Sequence, residues 1–349
     1  MSRSRVFSNV NLNKSQDYYD YENFTITWNS PEKYEVIRHL GRGKYSEVFH
    51  GIDVTQGVDR VIKVLKPVKK RKVNREVKIL QNLRGGINII QLVDCVYEME
   101  TKTQALIFEY VDNAKFALHF SLFEDRDIRY YIFQLLKALH FAHSRGIMHR
   151  DVKPHNIAID HSKKKLRLID WGLAEFYHPC QEYNVRVASR HYKAPELLVD
   201  FQCYDYSLDL WGVGCVLAMM VFKKNPFFYG TDNFDQLLKI VKVLGTEDLY
   251  AYLNTYKLQL PSKLSNVVRR FLSFFFSEFN SIYVYFNSCK KVSWKSFVNN
   301  DNKKYSNPQV FDLLDRLLQY DHAKRLTAAE AMDHEYFSIL SEEEKAAVN

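Results

Sequence analysis

The chain of 349 residues is long enough for two lobes of ordinary domain size, and a hydrophobic content of 46% is ample for packed cores. Its five cysteines are scattered without a CxxC pair, which argues against both a disulfide framework and a zinc site. The net charge of +8 indicates an acidic partner, which composition alone leaves open among nucleic acid, a membrane surface and an acidic protein.

Residues 1–33 are predicted to form an irregular extension whose tyrosines dock on the rest of the chain. The first 23 residues lack the apolar core of a signal peptide, so secretion is not expected. The most apolar stretch, residues 271–286, is interrupted by Glu278, Asn280 and several serines. It is therefore interpreted as a surface or packed helix rather than a membrane span.

From residue 34 onward the pattern predicts five short antiparallel strands, at residues 34–40, 44–51, 58–65, 89–99 and 104–110. Gly41 and Gly43 lie across the first turn, where the lack of a Cβ lets backbone N–H groups approach phosphates. Lys63 lies inside an apolar strand and needs an anionic partner, because an unpaired buried ammonium is unfavourable. Glu76, on a helix predicted at residues 69–83, is the candidate partner.

Beyond residue 111 the periodicity becomes helical. Apolar residues recur at spacings of four and three between Ile128 and Ala142, which marks one buried face of a helix leading to His149. Further helices are predicted at residues 207–222, 232–244 and 308–319, so the second lobe is expected to be mainly helical.

The segment His149–Asn156 and the later Asp170 combine two carboxylates, a lysine and an amide, which suits phosphoryl transfer. Asp151 can accept the proton of a substrate hydroxyl, and Lys153 can hold the transferring phosphate. Asn156 and Asp170 offer hard oxygen ligands to Mg²⁺. The ordered set, with Trp171 in place of a phenylalanine, resembles the signature of eukaryotic protein kinases.

This resemblance implies an α+β, bilobal fold: a small N-lobe with a five-stranded antiparallel sheet plus one helix, and a large, mainly helical C-lobe. The expected parts are the extension at 1–33, the N-lobe and hinge at 34–111, the C-lobe at 112–340 and a tail at 341–349. The C-lobe contains a Phe- and Tyr-rich insertion at about 265–291, which has no counterpart in the family. The resemblance also implies that Glu196 pairs with Arg325.

Five motifs narrow the resemblance to the catalytic alpha subunits of casein kinase II, at residues 41–46, 65–72, 149–156, 169–178 and 184–190. This implies a constitutively active Ser/Thr kinase that uses Mg²⁺ with ATP, and also GTP, in the cytoplasm and nucleus. Its expected substrates are acidic proteins, with no nucleic-acid or membrane partner. The chain departs from the subfamily at Asn74, at His191, which replaces an aromatic residue, and at Ala194, which replaces a glycine.

The resemblance assigns catalytic roles to Asp151, Lys153 and Lys63, and metal binding to Asn156 and Asp170. Nucleotide contacts are expected from the glycine-rich turn, the Lys63–Glu76 pair, the hinge and the residues before Trp171: Gly41, Arg42, Gly43, Lys44, Tyr45, Ser46, Val48, Val61, Lys63, Glu76, Phe108, Glu109, Val111, Ile169 and Asp170. Acidic residues after the phosphoacceptor are expected to meet two basic groups: Lys69, Lys70, Arg71, Lys72, Arg75 and His155, and Arg186, Arg190 and Lys193.

A regulatory beta subunit is the expected partner, in a heterotetramer of two alpha and two beta chains. Its expected contacts lie on the outside of the N-lobe sheet: Val36, Phe49, Ile62, Val96 and Ile107. Strand alternation supports this for Ile62, because its neighbour Lys63 points inward. An exposed apolar patch of this kind usually marks an interface, and packing beneath the extension is the alternative.

The activation segment, residues 170–196, contains no threonine and only Ser189 as an aliphatic hydroxyl. Activity is therefore expected without phosphorylation of this segment. Glu175, Glu182 and the docked extension are expected to order it, helped by a hydrogen bond from the Trp171 indole that a phenylalanine cannot make.

Three other functions are compatible with part of the sequence. A pseudokinase scaffold is disfavoured because the whole catalytic set is present, and metal-dependent ATP turnover would distinguish it. The hypothesis of a nucleic-acid-binding protein rests on the positive charge alone. The sequence lacks aromatic residues interleaved with the basic residues 69–72. A Pro-directed kinase of the same broad group is the alternative among enzymes.

Overall fold

The computed structural model describes residues 3–112, 122–259 and 289–346. Its small lobe is built on an antiparallel sheet with the strand order β1-β2-β3-β5-β4. These strands are β1 (Tyr34–Arg42), β2 (Ser46–Asp53), β3 (Val58–Leu65), β4 (Leu92–Glu98) and β5 (Thr103–Glu109). One long helix, α2 (Lys70–Asn82), lies against this sheet, and a short helix of the extension, α1 (Gln16–Tyr19), contacts α2. The predicted five-stranded sheet with a single long helix is confirmed.

Strand β4 begins three residues later than predicted. Asn88 adopts a left-handed backbone conformation with φ of 58°, and Ile89 forms an isolated bridge with Leu168 of the large lobe. The N–H group of Ile90 also donates to the Leu168 carbonyl at 3.2 Å. Because these backbone groups bond to the large lobe, they are not available to the sheet, and the strand starts only at Leu92.

The large lobe is mainly helical, as predicted. Its helices are α3 (Asp125–Ser144), α4 (Pro195–Leu198), α5 (Ser207–Phe222), α6 (Asn233–Leu244), α7 (Glu247–Thr255), α8 (Pro308–Leu317), α9 (Ala328–Met332) and α10 (Glu342–Lys345). Short strands join them: β6 (Ile147–Met148), β7 (Ile157–Asp160), β8 (Lys165–Leu168) and β9 (Glu175–Phe176). Of the insertion, only residues 289–291 fall within the described part of the chain.

Helix α5 is the centre of the large lobe, and it is buried along almost its entire length. Helix α3 packs against it and begins with a capping box formed by Glu124 and Asp127. Helix α6 begins at a side-chain cap from Asp232, and α8 at a cap from Asn307 followed by Pro308. None of the helices among the described residues is long and apolar enough to cross a membrane.

The extension lies along both lobes. Its backbone N–H at Ser4 donates to the Tyr177 hydroxyl at 2.8 Å, and the Asn11 amide donates to the carbonyls of Gly146 and Tyr177 at 2.8 and 2.9 Å. Gly146 has φ of 75°, and a Cβ there would lie 2.5 Å from the Asn11 side chain. The close approach of the extension therefore requires glycine at this position.

Asn74 shows why a polar amide interrupts the basic helix. This residue is 2% exposed, and its amide donates to the carbonyls of Tyr21 and Phe24 at 3.2 and 2.7 Å. Further along, Asn29 pairs with the edge strand β4, accepting from the N–H of Tyr97 at 3.0 Å. The extension is thus bonded to helix α2 and to the sheet edge.

The outer face of the sheet carries its own apolar cluster, formed by Ile62, Val96, Ala105 and Ile107. Ile62 does point away from the cleft, as strand alternation predicts, but Ile62, Val96 and Ile107 are 5%, 3% and 0% exposed. The expectation that the five partner-contact residues form an exposed patch is therefore wrong for these three, because their side chains pack on one another. Phe49 packs at the edge of the cluster, and Val36 is 57% exposed.

Candidate active site

The loop before Asp151 is held by a carboxylate of the buried helix α5. Asp209 accepts from the backbone N–H groups of His149 and Arg150 at 2.9 and 2.7 Å, and it bonds the His143 imidazole at 2.8 Å. Burial alone would raise the Asp209 pKa, but the hydrogen bond with His143 and the backbone N–H of His149 lower it overall. Arg150 takes a left-handed conformation with φ of 66°, which the two backbone bonds stabilise.

Asp151 lies where the segment His149–Asn156 meets the activation segment. Its carboxylate accepts from Lys153 Nζ at 2.7 Å, from the Asn156 amide at 3.0 Å and from the backbone N–H of Ser189 at 2.8 Å. Lys153 Nζ also donates to the Ser189 hydroxyl at 2.8 Å. The predicted base and phosphate-binding lysine are therefore adjacent, and Ser189 of the activation segment fixes both.

Lys63 of β3 makes the predicted ion pair with Glu76 of α2, at 2.7 Å. It also donates to Asp170 Oδ1 at 2.9 Å. Burial alone would lower the Lys63 pKa, but the two carboxylates outweigh it and raise the pKa above its usual value. The Lys63 ammonium in turn lowers the pKa of the Asp170 carboxyl. The two lobes thus meet at a lysine that stays charged and a carboxylate that stays ionised.

The donors at the predicted metal site have the chemistry that Mg²⁺ prefers. Asn156 uses its amide nitrogen on Asp151, so its carbonyl oxygen is the atom left for a metal. Asp170 accepts from Lys63 through Oδ1, which leaves Oδ2. A carboxylate and an amide oxygen are hard ligands, and Mg²⁺ commonly takes only one or two protein ligands together with waters and phosphates. Asn156 and Asp170 therefore fit the ion.

A cleft between the lobes contains most of the predicted nucleotide contacts. Gly41, Gly43, Ser46, Val48, Val61, Lys63, Phe108, Glu109, Val111, Ile169 and Asp170 line it. Lys44, Tyr45 and Glu76 line an adjoining cavity that also contains Asp151, Lys153 and Ser189. Arg42 lines neither cavity: its side chain is 73% exposed, and its guanidinium pairs with Glu47 at 3.2 Å. The prediction of Arg42 as a nucleotide contact is therefore not supported by its position.

Three apolar residues of the cleft were not predicted: Leu40, Ile90 and Ala158. Ala158 lies in β7, two residues after Asn156, and its place in an apolar run next to the catalytic loop (residues 149–156) was an available signal. Ile90 had no local signal, because its position follows from the bridge between Ile89 and Leu168. The Glu109 side chain pairs with Lys165 and Arg167 at 2.7 and 2.9 Å, so it is already committed to the large lobe.

Glu175 orders the start of the activation segment. Its carboxylate accepts from Arg75 at 2.6 Å and lies 3.7 Å from the Arg150 guanidinium. The Trp171 indole donates to the Leu168 carbonyl at 3.1 Å, the hydrogen bond that a phenylalanine could not make. At the end of the segment, Glu196 pairs with Arg325 through two bonds of 2.6 and 2.7 Å. The expected Glu196–Arg325 pair is confirmed by this geometry.

The predicted substrate-binding residues divide into free and paired groups. Lys69, Lys70, Lys72, His155, Arg186 and Arg190 form no ion pair in the described part of the chain. Arg71 pairs with Glu22 of the extension at 2.8 Å, and Arg75 pairs with Glu175. Lys193 donates to the Val187 carbonyl at 2.9 Å. Burial lowers the Lys193 pKa, while the Asp151 charge opposes this shift and the Arg190 charge adds to it. Arg71 and Arg75 thus already have partners within the chain.

A family model described as "Protein kinase domain" matches residues 34–337. The match begins at the first residue of β1 and includes Lys63, Glu76, Asp151, Asn156 and Asp170. It also covers the sheet of the small lobe and the helices α2 to α9 of both lobes. Proteins with this domain generally use ATP and Mg²⁺, for which the cleft and the oxygen donors are suited. The chain belongs to the protein kinase family.

Proposed function

We propose that the chain is a Ser/Thr protein kinase that transfers the γ-phosphoryl group of ATP to serine or threonine followed by acidic residues. The observation that carries this proposal is the charge around Ser189. Arg186 and Arg190 are exposed and form no ion pair among the described residues, and they flank a serine bonded to Asp151. A carboxylate that follows the phosphoacceptor would supply the missing anion.

In the proposed reaction, the oxygen of the substrate hydroxyl attacks the γ-phosphorus, the bond between that phosphorus and the β,γ-bridging oxygen breaks, and ADP leaves with the bridging oxygen. Asp151 accepts the proton of the hydroxyl. Lys153 lies 2.7 Å from Asp151 and holds the transferring phosphoryl group, while Lys63 holds the phosphates nearer the nucleoside. Mg²⁺, held by Asn156 and Asp170, would neutralise phosphate charge. Positioning and charge stabilisation supply the catalysis, with no covalent enzyme intermediate.

A second basic group supports the acidic preference. Lys69 and Lys70 at the start of α2 are exposed, and Lys72 lies 4.5 Å from the ring of Tyr45 in the glycine-rich turn. His155 is exposed next to Asn156. These residues are assigned to the acidic side chain three positions after the phosphoacceptor. Arg71 and Arg75 are assigned instead to holding the extension and Glu175, because their carboxylate partners lie within the chain.

By its resemblance to the casein kinase II alpha subunits, the chain is further proposed to be constitutively active, to use GTP as well as ATP, and to be localised in the cytoplasm and nucleus. Glu175 supports constitutive activity, because a permanent carboxylate between Arg75 and Arg150 makes a phosphate unnecessary. A beta-type regulatory subunit is the proposed partner. The support for it is the exposed apolar side chains of the edge strand β1, Val36 and Ile37.

The test compares phosphorylation of three peptides that differ only after the serine, with acidic, neutral or proline residues. The proposed function requires the highest kcat/KM for the acidic peptide. Replacing Lys69, Lys70 and Lys72 with glutamate should raise KM for that peptide far more than it lowers kcat, since these contacts form equally in the ground and transition states. A triple change of Lys290, Lys295 and Lys303 to glutamate is the matched control. A preference for proline would move the chain to the Pro-directed class.

A further inference from the structure

The chain itself contains one serine with the acidic pattern that its basic residues are proposed to recognise. Ser341 is followed by Glu342, Glu343 and Glu344. The first and third of these glutamates stand at the two positions to which the groups of free basic residues are assigned. No other serine or threonine in the 349-residue sequence has a carboxylate at both positions. Ser341 is thus the best match within the chain to the proposed substrate.

The Ser341 hydroxyl lies at the surface of the large lobe. Ser341 is exposed and directly precedes α10. Its Oγ accepts from the backbone N–H of Glu344 at 3.2 Å, as the N-cap of that helix, and the Glu342 side chain is 91% exposed. Helix α10 has only four residues, so it has little stability of its own. It can therefore open and present the hydroxyl and the glutamates to an active site.

The segment around Ser341 is attached at the end of α3 that is remote from the catalytic loop. Glu344 pairs with Arg126, in the first turn of α3, at 2.7 Å. The catalytic loop lies at the opposite end, where His143 of α3 and the backbone of the loop share the Asp209 carboxylate. Between Arg126 and His143 the helix rises about 25 Å.

The Ser341 hydroxyl cannot cover this distance within its own chain. Leu340, the preceding residue, is 3% exposed and is held in the core. One extended residue beyond it adds at most about 3.6 Å, far less than the length of α3. The hydroxyl therefore does not meet Asp151 of its own chain, and a second copy must supply the active site. The glutamates all follow Leu340, so they become available when α10 opens.

We propose that Ser341 is a phosphorylation site of this chain, modified by a second copy of the same kinase. The inference rests on the proposed acidic preference and names one substrate for it. Ser341 Oγ of one copy attacks the γ-phosphorus of ATP bound to the other copy, the bond between that phosphorus and the β,γ-bridging oxygen breaks, and ADP leaves with the bridging oxygen. Asp151 of the copy that holds ATP accepts the hydroxyl proton.

The experiment uses the full chain, treated with phosphatase and then incubated with ATP and Mg²⁺, and mass spectrometry locates the phosphate. The wild type should gain a phosphate on Ser341, at an initial rate per chain that rises in proportion to the protein concentration. The Asp151→Asn copy should be modified far more slowly alone than after the wild type is added. Ser341→Thr, which keeps a hydroxyl and a capping oxygen, should still be modified, and Ser341→Ala should carry no phosphate there.

Two further changes, made in the Asp151→Asn copy, test the acidic pattern while the wild-type kinase that acts on it stays the same. Glu342→Gln removes the carboxylate directly after Ser341 and leaves the Arg126–Glu344 pair in place. It should lower the initial rate about two- to fivefold, the effect of one exposed ion pair. Glu335→Gln, a change at an exposed carboxylate ahead of Ser341, is the matched control and should keep the original rate.

Phosphorylation of the acidic peptide without any phosphate on Ser341 would overturn the inference and leave the proposed function standing. A rate per chain that does not depend on protein concentration would overturn modification by a second copy. Equal rates for Glu342→Gln and Glu335→Gln would show that the acidic pattern is not what selects Ser341. If the wild type does not prefer the acidic peptide over the neutral one, the proposed function fails as well, which separates the two failures.

Discussion

Asp151 is the residue whose surroundings best define its role. Its carboxylate accepts three hydrogen bonds, from Lys153, Asn156 and Ser189, which hold it in one orientation. We expect Asp151→Asn to lower kcat by about 10²- to 10⁴-fold, the usual contribution of a positioned general base. Nucleotide affinity should change little, because the amide keeps the shape of the side chain. Steady-state kinetics and nucleotide titration measure the two effects.

Asp160→Asn serves as the control, since Asp160 lies on the loop side of β7 and bonds Ser162. It should leave kcat close to the wild-type value. Near-normal turnover in Asp151→Asn would contradict the assignment of Asp151 as the base and would require another acceptor for the hydroxyl proton.

The buried Glu196–Arg325 ion pair leads to a second prediction at the residue scale, which concerns stability. Both side chains are 0% exposed, and Arg325 also donates to three backbone carbonyls. Glu196→Gln leaves a buried guanidinium without a counter-charge, and we expect a loss of about 3–5 kcal/mol in the free energy of unfolding. Urea unfolding measures it. Glu343→Gln, a change at an exposed carboxylate of α10, should shift the midpoint only slightly, and an equal shift in both variants would refute the prediction.

At the scale of elements, the activation segment is ordered by contacts that are permanently charged. Glu175 bonds Arg75 of α2 and faces Arg150 of the catalytic loop, so it joins three elements. We expect full activity after exhaustive phosphatase treatment, because no phosphate is needed to bring these arginines together. We expect Glu175→Gln to lower kcat/KM about tenfold or more, since α2, the catalytic loop and the segment lose their common partner. Kinase assays before and after dephosphorylation measure both outcomes.

Glu182→Gln is the control for the loss of a carboxylate, because Glu182 is exposed in the same segment and forms no ion pair among the described residues. The sequence indicated both glutamates as candidates, and the fold separates them. A large loss of activity on dephosphorylation of the wild type would contradict the idea that Glu175 replaces a phosphate.

At the scale of the whole molecule, the extension is tied to the far side of the large lobe by Arg5. Its guanidinium bonds Glu330 at 2.8 Å and lowers the Glu330 pKa from 4.5 to about 2. A carboxyl whose folded-state pKa is depressed stabilises the fold above its unfolded pKa, and this stability is lost as the pH falls toward about 2. The pair is partly exposed, so we expect only about 0.2–1 kcal/mol.

Glu330→Gln keeps the capping interaction with Thr327 but removes the charge. Between the wild type and this variant, the difference in unfolding free energy should be constant from pH 7 to about pH 5 and should shrink below about pH 4.5. Thermal unfolding across this range measures it. Glu343→Gln should show no such convergence, and a difference that grows as the pH falls would contradict the assigned sign.

The local sequence pattern was sufficient to predict the helices and strands whose apolar residues follow a clear pattern. The helix Ser207–Phe222 and the strand Val58–Leu65 have the predicted bounds, because a continuous apolar run and turn residues mark their ends. The predicted residues of the active site also meet, since each lies at a fixed place on a strand, helix or loop of the kinase fold. The start of β4 was misplaced because the residues before it bond to the other lobe, a contact between positions about eighty residues apart.

By itself, the sequence determined the kinase fold and the pairing of Lys63 with Glu76, because their motifs combine a local backbone pattern with unambiguous chemistry. Only the tertiary structure decided which charged or apolar side chains are free. Arg71, Arg75 and Arg186 are equally basic in the sequence, yet the first two meet carboxylates from distant segments and the third meets none among the described residues. Ile62 and Val36 are both outward on the sheet, yet only Ile62 is covered by neighbouring strands. The exposure of a side chain and the neutralisation of its charge depend on residues that are distant in sequence but close in the fold. A local sequence pattern carries no information about those neighbours.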